Sequence, residues 1–370
     1  MDKDKGIKMV TKEMMDRWAT DPKGPVALHL KQKLISVEGE GGIIFPPTYA
    51  NIGYNIDEEF DGKMVVTIDS VGSQANRIEP LFKEGALKDL VPQIEIRIDD
   101  GTSFSILDVG HRLGDALVRC TNLSTDAKEA FKDWLKGDAL KLAKLAPTSI
   151  VFGVWDSRDT AAKLPRIIQS VIRAWDVKKL RRSATYIPPP VDYAGLEVFS
   201  EEDKAKAERD AKSPLAQRGF VHDIQSAGSL GGVLARGPIY RDITVNLIAL
   251  RRLNTSDEKG KDELHKYILG LSLVAATQPV DGFLRQGCLL TLDPAAEHTW
   301  ALVMRDGTRQ FVDINGNNVL EYAKATAKVF GIGESKEVKF DKKKAKEVLQ
   351  KDKKKKKGKD KENNEGKTDG

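Results

Sequence analysis

Apolar and polar residues alternate over 26–37 (VALHLKQKLISV), the two-residue period of a half-buried strand. The following GEGGIIFPPTYANIGYN holds several glycines and Pro46-Pro47, too many breakers for a helix interior, and reads as a loop. The β-branched run 64–68 predicts another strand, after which Asp69 or Ser70 caps a helix running through SVGSQANRIEPLF. Residues 93–98 and 103–109 flank a short DDGT turn, as a hairpin does. Asp126 and Glu129 stand at capping-box spacing in a helix predicted over 124–145, and 150–154 reads as a strand. Pro188-Pro189-Pro190 interrupts the chain. Beyond it, SEEDKAKAERDAKSPLAQR forms a polar helix with almost no apolar face, which places about 197–218 in a surface insertion. A strand-rich segment over 239–250, an apolar helix over 262–277 and short strands over 288–292, 300–304 and 310–314 complete the series.

Both periods fit 166–175. As a strand it places Gln169, Val171, Arg173 and Trp175 on one face; as a helix it aligns Leu164, Ile167, Ile168, Val171, Ile172 and Trp175. Because helices and strands mix without regular βαβ alternation, the expected class is α+β.

Composition narrows the function. A chain of 370 residues, 40% hydrophobic and with no apolar run of membrane-spanning length, is a soluble globular protein of two average domains or one elaborated domain. The charged start MDKDKGIKMVTKEMMDRW is unlike a signal peptide, so the cytoplasm is the expected location. Cys120 and Cys288 are far apart and suit core thiols better than a disulfide or zinc site. The net charge of +5 is misleading, because the 15 Lys and 9 acids of 331–370 carry it and leave the body close to neutral. A disordered basic tail is expected from near Lys342, attracting nucleic acid nonspecifically or merely solubilising.

Polyanion contacts in the body must therefore come from clusters. In the helix after Asp69, Ser70, Ser73, Gln74 and Arg77 share one side while Val71, Ala75, Ile78 and Phe82 share the other; with Asn76, this suits a sugar-phosphate backbone, or else a solvated face. A second cluster, Arg158, Lys163, Arg166, Arg173, Lys178, Lys179, Arg181 and Arg182, lies near Trp155 and Trp175, which serve either base stacking or the core. In a third segment, Gly228, Gly231, Gly232 and Gly237 accompany Arg236 and Arg241, permitting close backbone approach to a polyanion or forming a flexible loop. His222-Asp223 lacks the further ligands of a metal phosphohydrolase, and no GxSxG or HExxH is present. No catalytic, metal or cofactor site is expected.

The segments PPTYA, TIDSVGSQANRIEP, LDVGHRLGDALVR, IVFGVWDSRDTAAKLPRIIQSVIRAWDVKKLRRSATYIPPP and GGVLARGPIYRDITVNLIALRRL, in this order, resemble the type I-G (formerly I-U) CRISPR RAMP protein, the backbone subunit of that Cascade complex. The resemblance spans roughly 26–312. It implies a modified RRM-like palm of ferredoxin type over 26–333 with finger and thumb insertions, an N-terminal extension over 1–25 and a Lys-rich tail over 334–370. It further implies copies polymerising along a guide RNA and presenting its bases to target DNA, together with other Cascade subunits and a separate helicase-nuclease, and no membrane. By motif position Ser73, Gln74, Asn76 and Arg77 would contact guide phosphate or ribose, with Arg112, Arg158 and Arg166 as further candidates; Trp155, Arg173, Arg181, Arg182 and Arg236 complete the set. The aromatic RNP1 signature of ordinary RRMs is absent, so backbone tracking is expected rather than stacking on the sheet. Type III relatives cut RNA with a loop aspartate; type I does not, leaving an RNA-processing endonuclease as the alternative.

Overall fold

The computed structural model describes residues 7–98, 101–183, 185–210, 212–224, 229–279 and 281–349. At its centre Trp300–Val303, Ala27–Ser36, Ile239–Asn246 and Ile168–Ala174 lie side by side in that order, each antiparallel to its neighbours. Numbered along the chain, these strands run 4-1-3-2, with helices crossing between the first and second and between the third and fourth. That is the ferredoxin-like order of an RRM-like domain, and the class is α+β. Met64–Asp69 and Asn55–Glu58 extend one edge; Arg309–Asp313 and Lys8–Met9 extend the other. The fourth position is split, because Cys288–Leu292 pairs with the far half of Ala27–Ser36 and Trp300–Val303 with the near half.

Residues 168–174 are a strand. Pro165 disfavours a helix start upstream, Asp176 turns the chain at φ 48°, and strands on both sides satisfy the backbone of this β-branched run. Its even positions face the same side as Leu28, Leu30 and Leu34 and as Ile239, Ile243 and Val245. Across that side lies the helix Glu258–Thr277, buried along most of its length between the sheet and the helix Gly316–Phe330. Being covered on several faces, it is apolar nearly all round. Lys12–Thr20 packs on the same helix, so the segment expected as an N-terminal extension joins the body through both a helix and an edge strand.

Several expectations change. Residues 150–154 are not a strand: Pro147 opens the buried helix Pro147–Val151, whose packing overrides the β preference of Ile150 and Val151. The helix predicted over 124–145 is two, Ser124–Leu135 and Leu140–Leu145, broken where Gly137 takes φ 92°. It starts at Ser124 without a side-chain cap, so Asp126 and Glu129 form no capping box. The polar insertion holds Glu201–Ala207 and Pro214–Gln217 around a small core of Ala207, Ala216 and Val221, with Tyr193 edge-on to Phe220 at 5.2 Å. Gly231 and Gly232 serve a three-strand ribbon, Ile43–Ile44, Ser229–Ala235 and Val177–Arg182 in that order, rather than a ligand loop. A Cβ on Gly231 would stand 2.6 Å from the Arg181 carbonyl carbon, and Gly232 adopts φ 94° at the ribbon's bulge. Gly228 lies outside the described residues.

The tail begins later than 334. Lys336–Lys339 adds a parallel strand to Ile94–Arg97, Val338 is buried, and 342–349 is helical. Asp341 donates its amide to the Cys120 carbonyl oxygen (2.7 Å) and Lys344 Nζ donates to that of Thr121 (3.0 Å). The Lys-rich composition concealed one buried valine at strand spacing. Residues 350–370 lie outside the described residues. Truncation after residue 349 sets the reference melting temperature. Truncation after residue 333 should lower it by several degrees, because burial of Val338 and Phe340 and a strand partner are lost; equal melting of the two would show that the strand contributes nothing.

Candidate nucleic-acid interface

One side of the sheet is covered by helices and the ribbon. On the other, strand pairing aligns the remaining side chains in rows. One row runs Phe311, Ala301, His29, Thr244, Gln169; another runs Lys33, Tyr240, Arg173, Thr67, Asn55. Lys31 stands between them opposite Asp242, and Arg309 lies beyond Val303 at the margin. Among the described residues no buried hydrophobic cluster forms here; Lys31, Gln169 and Arg309 are exposed and Lys33, Arg173 and Tyr240 half-buried. The Lys31 ammonium sits 4.4 Å from the centre of the Tyr240 ring, and Lys33 Nζ is 2.9 Å from Asp293 Oδ2. His29 Nδ1 lies 3.1 Å from Thr244 Oγ1 and Nε2 3.6 Å from Asp242. Burial lowers the His29 pKa more than Asp242 raises it, so the imidazole stays neutral at pH 7.

The rows open at one end into a groove between 36–42 and the turn before Ile239–Asn246. It measures about 920 Å³ and is lined by Lys33, Arg236 and Tyr240 among others. Arg236 is exposed there. From the same end the ribbon carries exposed Lys178, Lys179, Arg181 and Arg182, the last with its guanidinium 5.5 Å from the Phe45 ring. Cations on three strands, a groove and a ribbon, with Tyr240 and Phe311 on the face, suit the phosphates of a single strand with a base or two lying on a ring.

Trp155, Arg158 and Arg166 belong to the loop before Ile168–Ala174. Trp155 is 58% exposed with Lys163 Nζ 5.6 Å over its ring, so it is no core residue. Arg158 is exposed; Arg166 is half-buried, its pKa lowered by burial and then by nearby Arg112. An exposed indole beside cations is the arrangement that stacks a base. Trp155→Ala should weaken single-stranded RNA binding about tenfold, the loss of roughly one stacked base, without lowering the melting temperature; unchanged affinity would remove this loop from the interface.

Other expected contacts are spent on the interior. Gln74 is wholly buried: its Nε2 donates to Asp69 Oδ2, and its Oε1 accepts from Ser170 Oγ (2.7 Å) and Arg241 Nε (3.2 Å). Arg77 Nε donates to Asp69 Oδ2 (3.1 Å) and Nη2 to the Leu284 carbonyl oxygen (2.9 Å). These groups, with Gln32 accepting from Arg241 Nη1 (3.1 Å), form a polar band that separates two apolar clusters on the covered side. Burial raises the Asp69 pKa, while Gln74 and Arg77 pull it down. Arg112 is 5% exposed, its Nε 2.5 Å from Glu79 Oε2 and its Nη1 donating to the Gly153 carbonyl oxygen. Burial pushes Glu79 up to about 7 against the pull of Arg112. Gln74 and Arg112 therefore contact no external ligand, a correction that follows from buried charge and amide needing partners. Ser73 is half-buried with its Oγ 3.0 Å from Ser70 Oγ, and Asn76 is exposed on the outer side of the helix. Ser70 caps that helix, Val71–Ile78.

Lys31, Lys33, Arg309 and Tyr240 were missed as site residues. The signal was present in 26–37, where His29, Lys31 and Lys33 occupy one face of the alternation. The strands that complete the face lie far away in the chain. His222 is exposed, and the Asp223 side chain lies outside the described residues. Among the described residues no three His, Cys, Asp or Glu side chains group as metal ligands, and no helix is long and apolar enough to cross a membrane.

No curated protein matches the chain. Residues 28–179 match the family described as CRISPR-associated protein GSU0053, so the first two palm strands and the candidate residues between them are similar to a CRISPR-associated family.

Proposed function

We propose that this protein is a non-catalytic backbone subunit of a type I-G Cascade complex, acting in the cytoplasm. Copies of it lie along a guide RNA and hold the sugar-phosphate chain so that its bases pair with target DNA. Other Cascade subunits complete the complex, and a separate helicase-nuclease cuts. The observation that carries this reading is the open sheet face, with Lys31, Lys33, Arg173 and Arg309 on three strands of one sheet, in a chain whose first two palm strands match a CRISPR-associated family. Cations distributed over separate strands follow a backbone without reading bases, and the groove beside Arg236 at one end of the face gives the strand a path. Ser73, Asn76 and Arg77, on the helix Val71–Ile78, lie outside this path.

The test is binding and integrity of RNA. Single-stranded RNAs of increasing length should bind with rising stoichiometry, tolerate changes of sequence and lose affinity steeply with salt. The RNA should be recovered intact after long incubation with Mg²⁺ or Mn²⁺. Specific fragments of a repeat RNA would instead support the endonuclease, and one copy bound regardless of length would overturn the backbone role.

A further inference from the structure

On the helix-covered side of the sheet a second cavity, about 550 Å³, opens beside the polar band. Its floor is formed by Leu30, Gln32, Ile172 and Arg241; its walls come from the end of Glu258–Thr277, from Trp300 and from Gly316 at the start of Gly316–Phe330. Arg241 is only 4% exposed, yet every acceptor it meets is neutral: Gln74, Ser170 and Gln32. Its Nη2 has no hydrogen-bond partner, and no carboxylate pairs with it among the described residues. Asp69, the acid of the band, acts on it through space only, its direct bonds going to Gln74 and Arg77. Burial brings the Arg241 guanidinium down to about 10, so it remains charged at pH 7.

A buried cation without a directly bonded counter-charge is costly, and a protein ordinarily pairs it. Here the space beside it is large enough for a small ligand. A second positive element adjoins the same space: the 15-residue helix Gly316–Phe330 has no acid in its first turn and presents its amino end at Gly316. The lone acid on the lining, Asp313, is exposed and alternates to the other side of its strand from Val312 and Ile314. The remaining walls combine aliphatic side chains and Trp300 with the polar Thr277, Gln278, Thr291, His298 and Thr299.

We propose that this cavity binds a small molecule with an anionic head, phosphate or carboxylate, held by Arg241 and the amino end of Gly316–Phe330, and an apolar body lying against Leu30, Ile172 and Trp300. The site faces away from the open sheet face and is independent of RNA binding.

Phenyl phosphate and phenylacetate supply the two head groups on one body, and benzyl alcohol is the neutral control. Titrated into the full chain, at least one anion should quench tryptophan fluorescence and raise the melting temperature by about 3 °C at saturation, while benzyl alcohol does neither. The better anion identifies the head group. Arg241→Met should abolish the shift. Should that variant fail to fold, Gln278→Trp, which fills the cavity's rim and leaves Arg241 in place, serves instead and should also abolish it. Equal response to benzyl alcohol, no response to either anion, or a shift that survives in a folded variant would overturn the proposal.

Discussion

Alanine at Lys31, Arg173 and Arg309 together should weaken RNA binding by about two orders of magnitude near 0.15 M salt, while the protein melts as before. Each contact to a single strand contributes roughly 0.7 to the slope of log affinity against log salt, so the triple variant should also flatten that slope by about 2. The three cations lie on separate strands and none is paired within 4 Å of a carboxylate in the described structure, so their loss leaves no buried charge behind. Lys33 is left in place because its partner Asp293 would then repel phosphate. The double variant Lys178→Ala and Lys179→Ala, on the ribbon, is the comparison. If the ribbon change matches the face change in both affinity and slope, the charge is acting diffusely and the open face is not the track. If filter binding over a salt series finds neither quantity altered by the triple variant, the interface lies elsewhere.

Asp69→Ala should destabilise the fold by about 3 kcal/mol, read as a fall in urea midpoint at unchanged m-value. Asp69 is 1% exposed and accepts from both Gln74 and Arg77. Without it an amide loses its acceptor and the Arg77 and Arg241 guanidinium groups lose their only nearby counter-charge in the band. The figure is moderate because the Arg77 side chain is 35% exposed and water can solvate it. Asp69→Asn keeps one acceptor oxygen and should cost less. Equal midpoints for Asp69→Ala and the parent would mean that the band is dispensable to the palm.

The fold was readable wherever a segment's own period decided its structure. The alternation over 26–37 and the apolar helix ending at Thr277 needed no neighbours to be recognised. At 150–154 the β-branched residues pointed the wrong way, because their helix is dictated by Pro147 and by burial against distant elements. The site divided along the same line. Arg181, Arg182 and Arg236 are exposed, as local charge suggested. The face Ser70, Ser73, Gln74 and Arg77 had the right composition for a ligand, but composition does not tell a polar surface from a polar seam inside the protein. Only the arrival of Ser170 and Arg241 beside Gln74 distinguishes the two. The reverse error hid the sheet face, since Lys31, Arg173 and Arg309 are 142 and 136 positions apart in a chain that folds them onto one face of one sheet, each on the next strand but one.

The sheet's two margins bear on how copies could join. At one lies Asn55–Glu58, four residues long and ending in exposed Asp57 and Glu58, with exposed Glu59 next in the chain; at the other lies the two-residue Lys8–Met9. Such short, charged margins resist addition of a further strand. Neighbouring copies in the proposed assembly therefore keep separate sheets and meet through side chains, an association that can slide in spacing by fractions of a residue where continuous backbone ladders would lock it to whole steps.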